Sequence, residues 1–336
     1  MKRRLIKRLL FVLYLVLATT VLLEIAVRLS GYSEHHLCDP IYTPFAASND
    51  IPYIHKAKLI NARARGLAVI NTDSLGLRSL TGEDRFGPRT GREFRIAIVG
   101  DSVTFGEGVK DTSQTYAQLL EDELNRVQSE FKVKVFNFAA SAYSVKVMEA
   151  TLEQRMRAVD PDLVIMAIVP TDFNLGRTPT VDKFGYLTDS KLSSFIAKDS
   201  KLRLAVRKSH LIYLVRDVIN PLIDQNNQAE AVLTAGNVPD AYEYLQQFAK
   251  FAEQNRLPYA IVLLPSLRTQ FATVPARLRQ DGLSFIDLSA IRIEFSEEDF
   301  RASRFDTHPS AGVHRRIAAS LASDILQKYM LTVRDR

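Results

Sequence analysis

A chain of 336 residues has length for one large α/β domain with insertions or for two modest domains, and a hydrophobic content of 46% excludes a mainly disordered polymer. The formal net charge of +6 first suggests an anionic partner, but Lys2, Arg3, Arg4, Lys7 and Arg8 carry five of those charges. Without them 39 basic residues face 38 acidic ones, so the folded part lacks the basic excess expected of a nucleic-acid-binding domain, and no nucleic-acid partner is expected.

The first predicted element is a membrane anchor. Leu9 to Leu23 contains no charge, and extending the run to Val27 adds only Glu24. Residues 9–27 supply about the ~20 positions that a bilayer-spanning helix needs. A cleaved signal peptide is the competing reading, but no convincing small-x-small cleavage site follows the run. Five cations immediately before it argue against a buried core helix. The positive-inside rule keeps the basic tail, residues 1–8, in the cytoplasm and exports the rest, to the periplasm or cell surface. Cys38 is the only cysteine, so no intrachain disulfide is available. Its neighbours His35 and His36 lack a distant fourth ligand, and the segment reads as a juxtamembrane linker, with no metal site.

Residues 28–92 are rich in Pro, Asn, Asp and Gly and read as a linker and an irregular N-terminal lobe. Within it, Asn71 to Arg78 has the composition of a turn, in which Gly76 permits positive φ and Arg78 pairs with a carboxylate. Ile96 to Val99 then forms the apolar run of a strand covered on both faces, stopped by Gly100. Further strands are predicted at 131–138, 162–169, 259–264 and 283–288. Helices are predicted at 115–127, 145–159, 241–255, 274–280 and 311–329. The strand and helix alternation makes a right-handed parallel sheet the default topology. Residues 170–239 break the rhythm with an amphipathic stretch near Leu202 to Ile219 and the polar run Asp224 to Glu230. This is too long for an ordinary connection, and a helical cap is expected.

Ser102 follows the first strand of that sheet, where ligands bind beyond the carboxyl ends of strands. Helix capping alone would account for a serine at such a turn. However, Gly100-Asp101-Ser102 followed by Thr104-Phe105-Gly106-Glu107-Gly108-Val109 resembles the nucleophile block of the SGNH/GDSL family of esterases and acyl-hydrolases. The resemblance implies a flavodoxin-like three-layer α/β/α parallel sheet over residues 93–332, with the inserted, mostly helical cap at about 173–238. Asn71 to Arg78 is similar to a segment preceding the nucleophile strand in membrane-anchored members, which gives Arg78 a candidate place in a substrate lobe.

An acyl-transfer serine needs a base, a group that fixes the base, and donors for the oxyanion. Of six histidines, His308 stands in Phe305-Asp306-Thr307-His308-Pro309, a loop expected between the last strand and the last helix, on the same edge as Ser102. Family members place their Asp and His in a similar block, so by resemblance His308 is the base and Asp306 the orienting acid. Asp299 or a water are alternatives for the acid. His314, expected on an exposed helix face, is the alternative base. For the oxyanion the resemblance implies the N–H groups of Ser102 and Ala142 and the side chain of Thr171. Alanine stands at 139 and 142 where the family commonly has glycine, and Thr171 where it has asparagine. Asn174 is another candidate donor.

No organic cofactor follows from this mechanism. The glycine spacing fits neither a phosphate loop nor a dinucleotide fingerprint. The expected activity is serine-dependent ester hydrolysis outside the cytoplasm, on O-acylated envelope or exported glycans. Alternatives are O-acyl transfer in exopolysaccharide or envelope modification, with a partner membrane acyltransferase, and glycan binding without catalysis.

Overall fold

The computed structural model describes residues 2–32, 36–176, 179–188, 200–223, 238–267, 269–271 and 273–330. The first element, α1 (Lys2–Leu29), has 28 residues and leaves Leu9, Leu13, Val16 and most of its other apolar side chains exposed. Among the described residues it is the one helix long and apolar enough to cross a membrane.

Strands β1 (Glu93–Gly100), β2 (Lys132–Asn137), β3 (Leu163–Ile168), β4 (Tyr259–Leu263) and β5 (Phe285–Asp287) form one sheet in the order β2-β1-β3-β4-β5. Every pairing is parallel. Alternation sends successive side chains to opposite faces. Ile96, Ile98, Ile165 and Val262 share one core with α3 (Tyr116–Val127) and α7 (Ala311–Ile325). Ala97, Val99, Met166 and Ile261 share the other with α4 (Val145–Gln154) and α6 (Val238–Gln254). The result is the flavodoxin-like α/β/α order. The chain reverses direction across the sheet between β1 and β3, which opens a crevice above their carboxyl ends. At the opposite edge Arg95 is buried, its guanidinium 2.7 Å from Glu93, which also takes Lys134 at 2.7 Å.

Several expectations are corrected. The helix predicted at 145–159 ends at Gln154, and a tighter 3-10 turn covers Met156–Val159, ending at left-handed Asp160 before Pro161. The last helix changes pitch after Ile325, with a π-turn over Leu326–Met330. The Asp306-His308 segment is a strand, Asp306–Pro309, paired antiparallel with Arg301–Ser303. Beyond its first residues the N-terminal lobe is more than a linker. Tyr42–Pro44 pairs with Tyr53–His55, and Val69–Thr72 pairs with Ala62–Arg63 and Arg78–Ser79. Ile51, Tyr53 and Ile70 are buried in the same core as Ala97 and Met166.

The insertion holds a small hairpin, Thr180–Val181 with Leu187–Thr188, a short helix Lys201–Val206, and α5 (His210–Ile223). Its polar run, Asp224 to Glu230, lies outside the described residues.

β1 stops where it does because Gly100 touches its neighbours closely. A Cβ there would sit 2.2 Å from Thr104 Oγ1 and 2.6 Å from the Ala167 carbonyl of β3. Gly100→Ala is therefore expected to destabilise the domain by about 1–3 kcal/mol, the usual cost of overpacking. Urea unfolding with an unchanged m value is the check, and a midpoint equal to wild type would contradict this account of the turn.

Candidate active site

Asp101 ends the strand with β geometry, and its carboxylate accepts from the Val103 N–H at 2.9 Å. That caps α2 (Ser102–Phe105), a single turn closed by Gly106 at φ +87°. Ser102 is the first residue of α2 and lines the crevice.

From below, the turn is held by Arg78. Its guanidinium donates to the carbonyls of Phe105 (2.8 Å), Gly106 (2.9 Å) and Val109 (3.2 Å), and to Thr112 Oγ1 (3.0 Å). Arg78 is buried behind the turn, does not line the crevice, and its expected place in a substrate lobe gives way to that of a clasp.

His308 approaches from the other side of the crevice. Its Nε2 lies 3.0 Å from Ser102 Oγ, and its Nδ1 lies 2.6 Å from Asp306 Oδ1. Residues two apart point the same way along an extended strand, so the hairpin aims Asp306 and His308 at one place. Gly66 lets another loop pass beneath Asp306. A Cβ on Gly66 would lie 2.6 Å from Asp306 Oδ2 and 2.5 Å from the Gly108 amide nitrogen. Asp299 instead accepts the Ser296 hydroxyl at 2.6 Å. His314 is fully buried, contrary to the exposed face expected for it. Its Nδ1 accepts the Tyr116 N–H at 3.0 Å, tying α7 to α3, and burial with the nearby charges of Arg78 and His308 lowers its pKa to about 3.

A carboxylate overlooked in the sequence completes the cluster. Glu107, nearly fully buried, places Oε2 3.3 Å from His308 Nε2, while Oε1 accepts a short hydrogen bond from the Ser141 hydroxyl. Ser141 in turn accepts from Tyr42 OH at 3.0 Å. The available signal was an acidic residue between the two glycines of the nucleophile block, but its partners lie far away in sequence. Burial disfavours charge on His308. The Asp306 hydrogen bond and the charges of Glu107 and Asp306 outweigh it and raise the pKa. For Asp306 burial opposes ionisation, and the bonds and charge of His308 prevail, bringing it down to about 2.

The crevice, about 300 Å³, is lined by Ser102, Glu107, Ser141, Ala142 and His308 at its floor. Tyr42, Arg65, Tyr186, Arg207, Tyr213 and Arg216 are among its walls. Ala142 adopts φ +64°, a left-handed conformation that costs a residue with a Cβ more than it costs glycine. Thr171 and Asn174 are exposed in and just after a 3-10 turn, Pro170–Phe173, and the structure does not bring either side chain to this crevice. His36, half of the dismissed histidine pair, also borders the crevice, 2.7 Å from Asp217, whereas His35 lies outside the described residues.

No protein-family model matches the chain, and no curated protein sequence matches it. Solved structures do. One is a protein assigned to the G-D-S-L lipolytic family from Desulfitobacterium hafniense DCB-2, 11% identical, with a TM-score of 0.43, covering 69% of this chain and 99% of its own. The acetyl xylan esterase AlAXEase is 11% identical, with a TM-score of 0.42 and coverages of 69% and 100%. A lipase/acylhydrolase from Enterococcus faecalis is 13% identical, with a TM-score of 0.42 and coverages of 70% and 96%. At such identities substrate does not transfer, and the chemistry has to be argued from the crevice.

A neutral His308 would turn the Nε2 lone pair toward Glu107, so Glu107 favours the imidazolium. A base must be neutral to act, so with His308 in that role the activity should rise with pH through a pKa above the ordinary histidine value. In Glu107→Gln one charge favouring the imidazolium is gone, and the acid limb of the kcat/KM profile is expected to move to lower pH. An unmoved limb would remove Glu107 from the titration of the base.

Proposed function

We propose that this chain is an SGNH-type serine esterase, anchored by α1 and acting outside the cytoplasm on short O-acyl groups of envelope or exported glycans. The observation that carries the proposal is the continuous relay from Asp306 through His308 to Ser102, with links of 2.6 and 3.0 Å, at the switch point of a parallel sheet. In this reading Ser102 Oγ attacks the ester carbonyl as His308 Nε2 takes its proton. Asp306 holds Nδ1–H and stabilises the imidazolium, and the backbone N–H groups of Ser102 and Ala142 receive the oxyanion. The imidazolium then protonates the leaving alkoxide. Water, deprotonated by His308, releases the acid and restores the serine.

The wall supports a sugar ester over a lipid ester. Tyrosines and arginines dominate, and Ile41 and Leu187 are its aliphatic residues, which suits hydroxyl-rich ligands and leaves little apolar surface for a long acyl chain. The export of the crevice rests on the basic residues before α1, which favour a cytoplasmic N-terminus.

A fluorophosphonate is expected to label wild-type protein at Ser102, located by mass spectrometry. Hydrolysis of nitrophenyl acetate is expected to fall roughly 10⁴-fold or more in Ser102→Ala, and steeply in His308→Ala. Folded wild-type protein that neither labels nor hydrolyses would leave a glycan-binding protein. Labelling followed by slow release in water, accelerated by a glycan acceptor, would identify transfer.

A further inference from the structure

The anchor and the cap meet through one side chain. Glu24, near the end of the apolar run of α1, accepts from the N–H groups of His210 (2.9 Å) and Leu211 (2.8 Å) and from Ser209 Oγ (2.9 Å). These are the unsatisfied donors at the start of α5, so Glu24 caps that helix from another element. Arg28 reinforces the joint, 2.8 Å from Glu24 and 3.2 Å from the Lys208 carbonyl. An ionised carboxylate at that depth of a membrane helix is costly unless it is paired or reaches the interface. Glu24 meets the first condition through Arg28 and the start of α5, and a bilayer edge at the start of α5 would meet the second.

From that joint α5 runs directly to the crevice. Tyr213 and Arg216, one and two turns further on and within roughly 10 Å by helical rise, line the wall. Arg216 also meets His36 at 3.0 Å, and His36 is 2.7 Å from Asp217. Val215 and Val218 on α5, and Leu202 on the preceding short helix, are exposed to 40, 56 and 63%. Lys201, next to Leu202 in the chain, and Lys208 and Arg28, at the joint with α1, are exposed as well. Exposed apolar side chains with cations at the ends of their helices suit a membrane interface.

We infer that α5 and the Lys201–Val206 helix rest on the same bilayer that holds α1, so that the crevice opens at headgroup level and takes ester groups presented at the membrane surface. This rests on the anchored reading above and adds an orientation and a source of substrate to it.

The chain has no tryptophan, so single tryptophans report depth cleanly. The full chain is placed in nanodiscs whose lipids are brominated near the top of the acyl chain. Val16→Trp tests the anchor, and Val218→Trp tests the platform. Val127→Trp, at the end of α3 just before β2 begins, reports the opposite edge of the sheet. Val16→Trp and Val218→Trp are expected to emit at blue-shifted wavelengths and lose most of their fluorescence, while Val127→Trp stays solvent-like and bright. Adding Glu24→Ala is expected to relieve quenching at 218 but not at 16. Quenching at 16 without quenching at 218 would overturn the platform and leave the anchor standing. No quenching at 16 would remove both, and equal quenching at 127 and 218 would overturn the orientation. Should Val218→Trp fold poorly, Leu202→Trp gives the same test.

Discussion

The site depends first on a buried guanidinium. One turn of helix has almost no stability of its own, because nucleating a helix costs more than its first hydrogen bond returns. The turn that starts at Ser102 must be held in place by something else. Asp101 satisfies its amino end, and Arg78 collects the carbonyls of Phe105, Gly106 and Val109 at its carboxyl end. Since Arg78 belongs to the N-terminal lobe, the direction of the candidate nucleophile is set by a segment outside the parallel sheet. That lobe also supplies Tyr42 to the crevice wall and Gly66 beneath Asp306. Lobe and sheet are thus one machine for orienting Ser102 and His308.

The left-handed residue at 142 follows from the same packing. Holding a non-glycine residue there costs on the order of 1–2 kcal/mol, and such strain persists only where surrounding contacts overdetermine it. The constraint is visible on both sides. Tyr53 OH donates to the Ser141 carbonyl at 2.6 Å, Tyr42 reaches the Ser141 hydroxyl, and Tyr143 is buried against Tyr53. Ala142 lines the same crevice as Ser102. The same contacts explain how alanine stands where the resemblance leads one to expect glycine.

What was legible in the sequence follows physical range. Strands β3 and β4, and β1 from Ile96 to Val99, are continuous apolar runs because both of their faces are covered, and that signal is local. So are the two motifs carrying Ser102 and His308. The aim of Asp306 was not legible, since it depends on an antiparallel partner that turns a presumed loop into a strand. Arg78 read as a surface ligand because its carbonyl partners leave no trace in composition. Glu107 read as part of a turn because its partners, Ser141 and His308, come from other elements. His314 looked like a solvent-facing helix residue until the neighbouring helix supplied a buried amide for it. For Arg78, Glu107 and His314 the missing information was a long-range hydrogen bond between buried groups, and periodicity cannot encode one.

Glu24 belongs to this class as well, and it bears on how the first helix is used. Within the sequence it is a lone charge that weakens an otherwise uniform apolar run, equally compatible with an anchor and with a signal peptide. In the structure it occupies the capping position of α5, whose next turns form the wall of the crevice. Loss of a capping side chain costs about 1 kcal/mol, and here it would also leave an amino terminus open beside the site. Proteolytic removal of the first helix would therefore strip the cap of its fixed end. The placement of Glu24 thus favours the proposed anchor over a cleaved segment, because α1 is tied to the element that supplies Tyr213 and Arg216 to the crevice.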